Sequence, residues 1–214
     1  MELSSSTAVV VARNFNPSIL SQLWLVRQGI IAENDFQQGC MFLDQVSQAE
    51  TPLFRLTALP QQLHLTPRCP PDDEAAVVLE KLGGIVRALP HTPYMAVGLN
   101  FLWHQVTDNI AELTRSLFFQ GGSELFEAFD VADARFGAYL SKNWRSLRLK
   151  LDIKPIQFQA GASAQDRLLF AFNFHLDLPN EGAVDKIIAG LKLWQEAQAE
   201  SRRLVELVLR GVGT

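Results

Sequence analysis

A chain of 214 residues, 48% hydrophobic and 20% charged, has the make-up of a globular protein and too much apolar content for disorder. Its 19 basic and 23 acidic side chains leave a net charge of −4, which argues against a sequence-independent nucleic-acid binder, since that function needs Lys and Arg to displace counterions. No run approaches the roughly 20 apolar residues of a membrane helix, and Met1 to Thr7 lacks the basic stretch of a secretion signal.

The two cysteines, Cys40 and Cys69, offer no disulfide framework and no CxxC spacing, and are read as reduced, buried thiols. These features predict one cytoplasmic α+β domain over residues 1–214, with no cofactor, no metal, no nucleic-acid partner and no membrane contact.

Taken in chain order, Ala8 to Ala12 is a β-branched run that reads as a buried strand. Asn16 followed by Pro17 is a helix start, and Ile19, Leu20, Leu23, Trp24 and Val26 recur at helical spacing until Gly29. Cys40 to Val46 and Leu53 to Thr66 read as two strands, the second interrupted at Pro60 and so an edge or a bulged strand.

Pro70 to Glu74 opens a second helix whose buried stripe runs from Ala75 to Leu89. Tyr94 to Val106 is apolar on both faces, the mark of a central strand. Its first half is of a kind common in bacterial α+β proteins and carries no functional motif. Asp108 is the expected cap of a helix reaching Phe118, and residues 123–140 look helical in pieces.

Trp144 to Phe158 and Arg167 to Leu178 alternate most cleanly. Leu147, Leu149, Leu151 and Ile153 oppose Arg148, Lys150, Asp152 and Lys154; Phe170, Phe172, Phe174, Leu176 and Leu178 oppose Ala171, Asn173, His175 and Asp177. The pair predicts an antiparallel hairpin with one dry face, in a register bringing Arg148 to Asp177 and Lys150 to His175. A single C-terminal helix over about 181–210 follows, about 45 Å long at 1.5 Å per residue.

The order strand, helix, strand, strand, helix occurs over about 8–90 and again over about 94–210, a possible duplicated β-α-β-β-α unit. The architecture expected is a mostly antiparallel sheet with helices packed on one face.

No phosphate loop, nucleophile elbow or zinc-protease motif is present, so catalytic residues are unknown and the reading leans away from an enzyme. The polar residues set among apolar strands form the candidate pocket or polar cluster: His64, Asn100, His104, Asn173 and His175. His64 and His175 hold matching places in the two halves. Arg145, Arg148, Lys150 and Lys154 beside Trp144 make the one basic aromatic stretch, read as a solvated strand face with RNA or an acidic partner as the alternative.

Leu204, Val205 and Val208, at the apolar end of the last helix, are the candidate self-association surface. The function expected is a bacterial-type cytoplasmic interaction protein, non-enzymatic, that forms homo-oligomers and has scope for a protein partner. The alternative is a domain that binds an apolar small molecule in a cavity between sheet and C-terminal helix.

Overall fold

The computed structural model describes residues 1–160, 163–178 and 183–210. Nine strands form one antiparallel sheet: β1 (Glu2–Ala12), β2 (Met41–Phe42), β3 (Ser47–Glu50), β4 (Phe54–Leu59), β5 (Gln62–Pro67), β6 (Tyr94–Val106), β7 (Ala138–Trp144), β8 (Leu147–Ala160) and β9 (Ser163–Asp177). Their order in space is β2-β3-β4-β5-β1-β6-β9-β8-β7. The helices are α1 (Gln22–Arg27), α2 (Pro71–Val77), α3 (Gly83–Ala88), α4 (Ile110–Phe118), α5 (Glu124–Glu127), α6 (Ala183–Leu191) and α7 (Trp194–Arg210). They cover one face only, as the segregation of apolar side chains predicts.

The strand order mirrors itself about the central β1–β6 pair. Outward from β1 run β5, β4 and β3; outward from β6 run β9, β8 and β7. Each half is a strand, a helical crossing, a meander of strands and a closing helix. Val9 of β1 faces Gly98 of β6, with His64 of β5 beside Val9 and His175 of β9 beside Gly98. The matching of His64 with His175 read from the sequence is thus a matching of position in the sheet.

Parity places the core. Leu147, Leu149, Leu151 and Ile153 face Phe174, Phe172 and Phe170 under the helices, and all are buried. Phe101 joins them, 6.0 Å from the Phe174 ring and 4.9 Å from Trp194 of α7. Each such aromatic contributes about 1.5–3 kcal/mol by leaving water. Gly190 lets α6 lie against β6, since a Cβ there would meet Val97 Cγ1 at 3.1 Å.

Several expectations are corrected. Two strands between residues 40 and 66 are four; Leu59 pairs with Gln62, so Pro60 and Gln61 are a hairpin turn, where proline has no ladder bond to lose. Asn16 caps only the turn Pro17–Ile19, and Ser21 caps α1 by accepting from Trp24 N–H at 3.3 Å. Asn109 rather than Asp108 caps α4.

The β8–β9 register joins Arg148 to His175 and Lys150 to Asn173, two residues from the register expected but with the faces as expected. The strands run through Ala160 and Ser163; Gly161 and Ala162 of their connection lie outside the described residues, as do Pro179 to Gly182 before α6 and residues 211–214. The C-terminal helix is broken at Lys192 and Leu193 into α6 and α7. The longer piece, 17 residues, spans about 26 Å. Cys40 and Cys69 are half-buried rather than buried.

Candidate functional site on the open face of the sheet

All five residues of the predicted polar cluster lie on the face that the helices leave uncovered. One row across the strands reads His64, Val9, Gly98, His175, Arg148, Asn143. The next reads Thr7, Asn100, Asn173, Lys150, Ser141. Alternation puts these polar groups outward at the same positions where their chain neighbours fill the core.

Asn100, Asn173 and His175 come together. Asn173 Nδ2 donates to Asn100 Oδ1 at 2.7 Å, and Asn100 Nδ2 donates to the Thr7 carbonyl at 3.4 Å. Gly98 allows this close packing, because a Cβ there would lie 3.3 Å from Asn173 Nδ2. His175 Nε2 lies 2.9 Å from Asp177 Oδ1.

His64 and His104 stand apart. His64 is three strand spacings from His175, about 14 Å, so the two matched histidines do not converge. Its Nε2 lies 2.8 Å from Gln62 Oε1, and burial pushes its pKa below the ordinary histidine value. His104 lies four residues along β6 from Asn100, with Nδ1 3.4 Å from Arg167 Nη1; burial first, and the Arg167 charge second, push its pKa down. Both shifts favour the neutral imidazole. Among the described residues no group of three or more His, Cys, Asp or Glu is placed to hold a metal ion.

The helix side of the outermost strand carries a second feature. An open apolar groove of about 310 Å³ lies between β7–β8 and α7, lined by Leu140, Leu149, Leu151 and Leu204 with Ser141 and Lys142 at its rim. Lys142 Nζ donates to Glu200 Oε1 at 3.3 Å. Of the residues predicted for self-association, Leu204 faces this groove and is half-buried, as is Val208. Val205 is fully buried within the chain and belongs to its core, because α7 packs this side onto the sheet. Leu140 of the groove wall is 54% exposed, while its neighbour Tyr139, 65% exposed, points to the open face of the sheet.

Sequence reasoning missed Glu74. Placed by the sequence only in the opening turn of a helix, it is buried at the α2–α7 contact and accepts from Ser6 Oγ (3.0 Å), Trp194 Nε1 (3.1 Å) and Gln198 Nε2 (3.0 Å). Burial raises its pKa against the lowering effect of those donors. A larger depression near Tyr94 and Arg13 is bounded by Leu178 and Ala183, which flank residues outside the described set. No protein-family model, curated protein or solved structure matches the chain.

Proposed function

We propose that this chain is a non-enzymatic interaction protein that self-associates through β7 and the groove beside it. One observation carries the reading: β7 is a seven-residue edge strand, exposed over most of its length, with a free row of backbone donors and acceptors and an apolar groove flush with it. An edge of this kind is a template for another strand. The other edge of the sheet is β2, two residues long and too short for that role.

The occupant is a second copy. Antiparallel pairing of β7 with β7 about a two-fold axis continues the sheet and sets apolar Leu140 of each copy close to the other's groove. Leu207, one turn beyond Leu204, is 56% exposed and extends the apolar surface.

Light scattering from about 1 to about 100 µM, spanning ordinary dimer affinities, tests this. The expected result is a mass rising from one chain to two, with Ser141→Pro or Leu140→Lys holding the protein at one chain. A concentration-independent monomer discards the reading.

The groove volume also favours a second reading, an apolar small molecule seated between sheet and α7, at the small end of ligand pockets. An environment-sensitive hydrophobic dye that saturates one site per chain in the monomeric Ser141→Pro variant supports it. Absence of dye uptake ends it.

A further inference from the structure

We propose that the open face of β7, β8 and β9 binds single-stranded nucleic acid. This goes beyond self-association and does not depend on it. The net charge of −4 speaks against such a ligand only if charge is spread evenly, and it is not. Acids open several helices, with Asp72 and Asp73 in α2, Glu112 in α4, and Glu124 and Glu127 in α5, while α7 mixes Glu196, Glu200 and Glu206 with Arg202, Arg203 and Arg210. The open face of β8 presents Arg148, Lys150 and Lys154, and that of β9 presents Arg167.

Of the acids on that face, Asp152 holds Lys154 at 2.8 Å, and Asp177, at the far end of β9, is 92% exposed with His175 Nε2 at 2.9 Å. Among the described residues Arg148, Lys150 and Arg167 form no ion pair. Arg148 donates instead to Asn143 Oδ1 at 3.0 Å, and Arg167 to Gln165 Oε1. Arg148 and Lys150 are two residues apart on one strand, about 7 Å, with Asn173 and Ser141 flanking Lys150 as further polar contacts.

Aromatic rings select the partner. Tyr139 of β7, beside Asp152, is 65% exposed, and Phe158 near the end of β8 is 43% exposed on the same face. The Arg167 guanidinium lies 4.3 Å over the Phe158 ring. Arg167 lies between the two exposed rings and Lys150 and Arg148 follow beyond Tyr139, so one strand path offers bases a place to stack and phosphates a charge to meet. An acidic peptide has no use for the two rings, and a duplex keeps its bases stacked inside. Asn100 and Asn173, whose amides face outward between the cations and the centre of the sheet, add neutral hydrogen-bonding groups for base edges.

Anisotropy of a labelled oligouridine of about 12 nucleotides, within the span of known single-strand sites, tests this on the full chain. Binding is expected at about 50 mM salt, with a log–log salt slope of about −2 for three cations. Arg148→Gln with Lys150→Gln should weaken binding about tenfold or more and flatten the slope toward zero. Tyr139→Ala and Phe158→Ala should each weaken it about fivefold or more and leave the slope unchanged.

A poly-glutamate peptide of equal charge serves as the competitor, expected to leave the oligonucleotide bound. Circular dichroism melts confirm that each variant is folded, and Tyr139→Leu and Phe158→Leu replace the alanine variants if a strand is lost. No binding at low salt, wild-type affinity in the variants, or equal competition by poly-glutamate overturns the proposal.

Discussion

Trp194 donates its indole N–H to Glu74 Oε2 at 3.1 Å, so the helix closing the second half of the chain is tied to the helix closing the first. Ser6 Oγ donates to the other carboxyl oxygen at 3.0 Å and Gln198 Nε2 to the same one as Trp194, which brings central strand β1 into the same knot. The mirrored halves therefore share a buried polar centre as well as a sheet.

That centre gives stability a pH dependence. Burial holds the Glu74 pKa above its ordinary 4.5, so the fold prefers the protonated acid. The sign follows from linkage: the contribution is fully present below the unfolded value and is lost as pH rises through the folded value. Glu74→Gln keeps the shape and removes the titration. Thermal melts across about pH 4 to 8 should show the variant gaining on the wild type as pH rises, then levelling off. A difference that is flat, or that shrinks with pH, contradicts the assignment. Glu74→Ala strands the indole N–H and should cost about 1–3 kcal/mol.

The Asn100–Asn173 bond is weighed by a double-mutant cycle. Either residue changed to Val leaves its partner short of a hydrogen bond on a half-buried face and should cost about 1 kcal/mol. The double Val variant should recover most of that loss, because β-branched residues suit a strand and no orphan remains. Urea unfolding measures all three. If the pair serves recognition, the recovered double variant binds oligouridine more weakly than the wild type.

How much of this was legible depends on whether burial or an edge placed the residue. The hairpin faces were readable because Phe170, Phe172 and Phe174 repeat at period two, but that pattern is unchanged by a slip of two, and so the register was not. β7 escaped detection because an edge strand exposed on both faces leaves no alternation to read. The break at Lys192 and Leu193 carries no proline. On either side of it Gly190 fits against Val97 and Trp194 against Phe101, tertiary contacts that local sequence does not carry.

In the candidate site, outward parity found His64, Asn100, His104, Asn173 and His175. It did not reveal Gly98, whose lack of a side chain lets Asn173 pack close, nor that strands β1 and β6 separate the two matched histidines.

Ser201 completes a second buried tie. Trp103 of β6 donates its indole N–H to Ser201 Oγ at 2.9 Å, and that hydroxyl donates on to the Gln198 carbonyl at 2.7 Å. Ser201→Ala should destabilise by about 1–3 kcal/mol, since the buried indole N–H then has no acceptor. Ser201→Thr restores the hydroxyl and tests whether the loss is the bond or the volume. A melt of Ser201→Ala equal to the wild type would mean that water replaces the serine.

Gly137, just before β7, decides whether the edge strand can form. A Cβ at that position would lie 2.4 Å from the Ile153 carbonyl oxygen, a backbone atom of β8 with no freedom to swing aside. Ala138 pairs with the same Ile153, so the strain falls on the first rung of the β7–β8 ladder. Gly137→Ala should therefore cost about 1–3 kcal/mol, the usual range for overpacking, and should loosen β7 before the rest of the sheet. Hydrogen exchange should show faster exchange confined to residues 138–144, with the β1–β6 amides protected as in the wild type. Because β7 is also the proposed contact between copies, the same variant should dimerise more weakly. Local loosening with unchanged dimerisation would move that contact off this edge.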